Sequence, residues 1–281
     1  MVLEKWMRNA VSLVVPGLLA VTMAAGADSG NCGVSKGLYE GWLAMKKHIS
    51  ARIARPDALL ASGPTAAPEP EKRQSIGQEY QAFFSCLSDT AEHQDKDAVQ
   101  ARCKQVEGDR PAWLACRTAA YLKGGRIDSK EFLDALPAGR KGAEVIWDLA
   151  EIAGSPQKKP ATLFLPSGPA YKLIDELFLL VLDDRETAAA KYFNIAADAA
   201  GDGARHMDDQ MKVLLRESPA LVVKKWMILR QYQPKLKKLL GEMSASLPPA
   251  EILKMRKGLA AFCSKDNPDC PEIIKLFGRS E

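Results

Sequence analysis

The chain has 281 residues, 47% of them hydrophobic, with 39 Lys and Arg against 35 Asp and Glu and a formal net charge of +4. That length and apolar fraction suit one large or two small globular domains. The near balance of charge excludes a nucleic-acid binder by composition, since such a protein carries a strong basic excess on one face.

Lys5 and Arg8 precede an apolar run from Ala10 to Ala25, and Ala25-Gly26-Ala27 sets small residues at the −3 and −1 positions of a cleavage site. This is the layout of a secretory signal peptide, residues 1–27, cut after Ala27. The run contains Pro16 and Gly17 and falls short of the about 20 apolar residues that a membrane span requires. Cys32 stands behind Asp28-Ser29-Gly30-Asn31, too late for lipid attachment. Loss of Glu4, Lys5 and Arg8 takes the formal charge from +4 to +3. The most apolar later stretch, Leu173 to Leu182, is interrupted by Asp175 and Glu176 and ended by Asp183 and Asp184. No transmembrane segment is therefore expected after cleavage, and the location expected is periplasmic or secreted.

Behind the leader, almost every periodic segment reads as helix. Leu38, Trp42, Met45, Ile49 and Ile53 share one face, and Ile76, Tyr80, Phe83, Phe84 and Leu87 repeat the pattern. Between them, Pro56 to Ser75 is aperiodic and rich in proline and alanine, and reads as a loop over 56–75. Helices follow at Asp95–Val106 and at Pro111–Leu122, the latter ended by Gly124-Gly125. Asp128 and Glu131 have capping-box spacing for the next helix, and Gly142–Ala153 closes the first region, 28–153. Residues 154–170, with Pro156, Pro160, Pro166 and Pro169, read as a linker. From 171 to 281 the spacing predicts Tyr171–Leu182, Arg185–Ala199, Ala204–Arg216, Pro219–Gln231, Pro234–Met243, Pro249–Phe262 and a short Pro271–Phe277. Short Gly- or Pro-marked turns make such neighbours antiparallel. The expected fold class is all-α: disulfide-stapled hairpins, then an antiparallel array resembling an α-solenoid or an irregular bundle. No TPR or ankyrin repeat is present, and no segment alternates with the period of a strand.

In an oxidising compartment the six cysteines read as three disulfides. Cys103 and Cys116 flank the Glu107–Arg110 turn at nearly equal distance, and Cys263 and Cys270 bracket a six-residue turn. Cys32–Cys86 is then the third pair; Cys86–Cys103 with Cys32–Cys116 is the rival pairing. With no Cys-x-x-Cys motif, a metal or redox role is not indicated.

Four groups of residues invite a chemical reading. Gly125 to Phe132 resembles the second half of an EF-hand calcium loop, with Asp128 and Glu131 as acids. The first-half ligand positions would be Ala120, Leu122 and Gly124, which offer no side-chain oxygen, so a turn and a capped helix are expected instead. Asp198, Asp202, Asp208 and Asp209 surround His206. Gly201 and Gly203 should break the helix there, and no second histidine is near, so an acidic turn is expected rather than a metal site. Ser155-Pro156-Gln157-Lys158 matches the Ser-x-x-Lys of penicillin-binding enzymes without its companion motifs. Glu40, Glu79 and Glu144 lie near aromatics and are the carboxylates a wall glycan hydrolase would draw on. No cofactor, metal or catalytic residue is assigned.

Finally, Lys224, Lys225, Arg230, Lys235, Lys237 and Lys238 cluster with Trp226 and no acid between Leu221 and Leu240. They form the expected binding surface, for an envelope protein or an anionic envelope component. The expected function is a non-catalytic helical binding or scaffold protein of the cell envelope. A periplasmic inhibitor or immunity protein and a peptidoglycan-active hydrolase are the alternatives. After export the chain should begin at Asp28 and hold no alkylatable thiol; intact-mass spectrometry with and without an alkylating reagent checks both, and a retained leader or alkylated cysteines would contradict them.

Overall fold

A computed structural model describes residues 32–54, 69–125, 128–137, 139–153, 162–164, 168–263 and 268–276. The leader 1–27, residues 56–68 of the expected loop, and Ser155 to Lys158 lie outside the described residues; the rest of that loop, Glu69 to Ser75, is not a loop but the opening turns of a helix that runs to His93. Every regular element described is helical, and the protein is all-α. In chain order the helices are α1 (Leu38–Ala54), α2 (Glu69–His93), α3 (Lys96–Gln105), α4 (Arg110–Lys123), α5 (Ser129–Ala135), α6 (Arg140–Ala153), α7 (Gly168–Leu182), α8 (Glu186–Ala197), α9 (Gly201–Glu217), α10 (Pro219–Lys224), α11 (Trp226–Leu229), α12 (Gln233–Ser246), α13 (Pro249–Phe262) and α14 (Cys270–Leu276). Short 3-10 turns occupy Thr162–Phe164 and Arg230–Tyr232. None of the described helices is long and apolar enough to cross a membrane.

The apolar stripes turn inward. Leu38, Trp42 and Met45 of α1 and Ile76, Tyr80, Phe83, Phe84 and Leu87 of α2 are buried, with Ile49 half-buried. Each large side chain so buried contributes about 1.5–3 kcal/mol relative to exposure. α4 is central, packing against α2, α3, α5, α6 and α7. Its Ala112, Ala115, Ala119 and Ala120 are all buried, and such small side chains let neighbours approach closely. Phe164, in the 3-10 turn before α7, is buried against Phe84 of α2. The core runs without interruption from Cys32 to Ile273. Cys32 is bonded to Cys86, Cys103 to Cys116 and Cys263 to Cys270, with Cα atoms 5.6, 5.3 and 5.5 Å apart.

Several local expectations change. Gly201, with φ of 56°, stands at the break between α8 and α9 as expected, but Gly203 does not break the helix, and α9 runs through it. The second glycine is there for packing: a Cβ on Gly203 would stand 2.8 Å from Cη2 of Trp147 on α6. The capping box of α5 does not form. Asp128 sits at the N-cap with ψ of 45°, away from the extended backbone that aims a capping side chain, and makes no cap bond. Asp128 instead pairs with Lys96 of α3, and Glu131 with Arg117 of α4. The single helix expected over Pro219–Gln231 is α10, α11 and a 3-10 turn. Replacing Gly203 by Ala should therefore cost about 1–3 kcal/mol by overpacking, although alanine is the better helix former. Urea unfolding measures it, and a variant as stable as the parent would show that the Trp147 contact is not tight.

Candidate functional site

A groove of about 330 Å³ opens between α1, the start of α4 and α6. Tyr39, Glu40 and Leu43 line it from α1, Gly108 and Arg110 from the turn into α4, and Glu144, Val145 and Asp148 from α6. Its base is polar. Asp148 is 2% exposed on a face of α6 shared with buried Val145 and Ile152. Its carboxylate accepts from the Tyr39 hydroxyl at 2.9 Å and pairs with Lys46. Tyr39 and Lys46 are two helical turns apart and so share a face of α1. Lys46 also lies 3.7 Å from Glu151, which pairs at 2.9 Å with Arg73 of α2; that guanidinium stands over the Trp42 ring, 5.9 Å from its centroid.

A second tyrosine and carboxylate sit beside the first. Asp109 is the N-cap of α4: it accepts from the Ala112 amide at 3.0 Å and from the Tyr80 hydroxyl at 2.7 Å. Burial pushes the Asp109 carboxyl above its ordinary value, the two donated hydrogen bonds pull it back, and the nearby charges of Glu40 and Glu79 push it up again. Burial first, and then the neighbouring carboxylates, push the Tyr39 and Tyr80 phenols up, so both remain protonated donors.

The three glutamates named from sequence take different roles. Glu79 is spent on the N-terminal segment, accepting from the amide and hydroxyl of Ser35. Glu40 and Glu144 are exposed on the groove, as is Arg110, and none of the three is paired with another described residue. Leu43 between them is 43% exposed. Sequence reasoning passed over Tyr39, Asp109, Arg110 and Asp148. Asp109 had a readable signal, an acid just ahead of Arg110-Pro111 at a helix start.

The lysine cluster does not form one surface. Lys225 and Trp226 are buried, 6% and 1% exposed. Lys224 and Lys225 both pair with Asp184, at the corner that ends α7. Asp184 has φ of 64° there, and the amides of Asp184 and Arg185 bond back to Val181 and Leu180, a Schellman ending in which glycine is the usual residue. The ammonium of Lys235 donates to the carbonyls of Ala196 and Ala199, each at 2.6 Å, closing the end of α8. Arg230 lies 3.9 Å from Glu272, and Lys238 3.9 Å from Glu242. Lys224, Arg230, Lys237 and Lys238 are exposed. The breaks at Lys225 and Arg230 distribute the cations over separate elements.

The acids around His206 also scatter. His206 meets Asp175 of α7 at 2.7 Å, Asp208 accepts from Tyr232, Asp209 pairs with Lys212, and Asp202 with Arg205. No group of three or more metal-ligating side chains occurs among the described residues. The chain matches no protein-family model, no curated protein and no solved structure.

The raised Asp109 carboxyl has a pH consequence. An acid with a raised folded-state pKa contributes most stability below its unfolded value, and the contribution is lost as pH rises through the folded value. Asp109→Asn keeps a capping oxygen but does not titrate. The stability of the parent relative to this variant should therefore fall as pH rises from the ordinary carboxylate range through the raised value. Urea midpoints across that window test this, and a constant difference would contradict it.

Proposed function

We propose that the protein is an exported, non-catalytic binding protein of the cell envelope, periplasmic or secreted, which holds another envelope macromolecule at the groove between α1, α4 and α6. One observation carries this reading. Around that groove, Glu40, Arg110 and Glu144 are uncommitted among the described residues and flank the exposed Leu43. By contrast, Asp148 in the same groove, and Asp184 and Lys235 outside it, are committed to holding the fold together. Three disulfides suit an oxidising compartment. An inhibitor or immunity role is the same reading with a secreted enzyme as the partner. An anionic component would instead use the exposed Lys224, Arg230, Lys237 and Lys238.

A second reading has its own support. Glu40 and Glu144 line a single groove, and glycan hydrolysis requires a pair of carboxylates. The two readings separate in one set of experiments. A photo-crosslinking residue replacing Leu43 should capture a defined envelope macromolecule in intact cells, whereas the same residue replacing the 61% exposed Met227 should not. The protein should release no soluble fragments from purified peptidoglycan. Absence of an adduct at position 43 contradicts the binding reading. Peptidoglycan release that disappears in Glu40→Gln or Glu144→Gln establishes the hydrolase in its place.

A further inference from the structure

Resting on the groove as the binding site, its charges and size narrow the ligand. We infer that the groove takes a short basic peptide with a free C-terminal carboxylate. Two carboxylates, Glu40 and Glu144, and one guanidinium, Arg110, face the same space. Their complement is a ligand with two ammonium groups and one carboxylate, which is a peptide with a free amine, a lysine-type side chain and a free C-terminus. Arg110 binds the carboxylate, for which its planar fork is suited. The carboxylates of Glu40 and Glu144 take the two amines. Leu43 and the buried Val145 supply an apolar surface for the methylene stem between them.

Two further features fit this ligand. Asp148 is already satisfied by Tyr39 and Lys46, so the base of the groove presents no bare buried charge to compete for the ammonium groups. The volume of about 330 Å³ is at the small end of ligand pockets, which span about 300–1,000 Å³. It admits one or two residues, free or presented at the end of a longer chain. The cleft also opens between three helices held by the Cys32–Cys86 and Cys103–Cys116 bonds and the buried tyrosine–carboxylate pairs. It is preorganised, so little ordering cost opposes binding.

The probe is the dipeptide Ala-Lys, titrated by calorimetry into the full exported protein. One-to-one binding is expected. Its C-terminal amide, its N-acetyl form and Ala-norleucine each remove one of the three charges, and each should bind at least about tenfold more weakly, the loss of one charge-assisted contact. Arg110→Met should bring Ala-Lys and its amide to the same affinity. Glu40→Gln with Glu144→Gln should do the same for Ala-Lys and Ala-norleucine. All three side chains are exposed, so these variants keep the fold. No binding of Ala-Lys at millimolar concentration, or equal binding of the acid and its amide to the parent protein, overturns the assignment. If crosslinking from position 43 still captures a partner in that case, the groove stands as the binding site and only the ligand class fails; if it captures nothing, both fail.

Discussion

A single buried carboxylate sets the geometry of the site. Asp148 lies 2% exposed on α6, packed beside Val145 and Ile152. A carboxyl group removed from water needs hydrogen-bonding partners with good geometry. Both partners come from α1, more than a hundred residues earlier in the chain. Tyr39 and Lys46 reach Asp148 together only if that face of α1 is turned toward α6. Glu40 and Leu43, one turn apart, then fall along the groove opposite Glu144. The approach of the chain to α1 is fixed as well, by the Cys32–Cys86 bond and by Ser35 on Glu79, both to α2.

The Asp109 pair does the equivalent for α4. Capping at Ala112 starts the helix at Arg110, and the Tyr80 hydroxyl holds the cap against α2. Arg110 is thereby placed at the groove by its neighbour's burial. The two pairs have the same chemistry, a phenol that stays protonated donating to a buried carboxylate. Each joins helices distant in sequence, and the open groove lies over the seam between them.

The parts of this arrangement that were readable from sequence are local ones. The helical period places Leu38, Trp42 and Met45 in the core because burial of an apolar stripe needs no knowledge of the partner. Two of the three disulfides bracket short turns, where chain geometry alone favours the pairing. Local patterns misled where tertiary partners competed for the same groups. Asp128 and Glu131 have capping-box spacing but are taken by Lys96 and Arg117 from neighbouring helices. Gly203 looks like a helix breaker because its purpose, clearance for Trp147, lies on another element. The lysines between Leu221 and Leu240 are dense in sequence, yet the breaks at Lys225 and Arg230 spread them over separate elements, and Asp184 and the end of α8 claim three of them. Glu40 and Glu144 could be singled out as candidate acids, but not brought together: their meeting depends on Tyr39 finding Asp148 across 109 positions.

The central claim is that Asp148 holds α1 in place as one wall of the groove. Hydrogen exchange on Asp148→Leu, read helix by helix, tests it most directly. The substitution removes both the phenol's acceptor and the lysine's counter-charge while filling the space with an apolar side chain. The account predicts that amides of α1 lose protection selectively, with α7 to α9 exchanging as in the parent protein. Unchanged protection in α1, or an equal loss across all helices, would show that this carboxylate does not set the geometry of the groove.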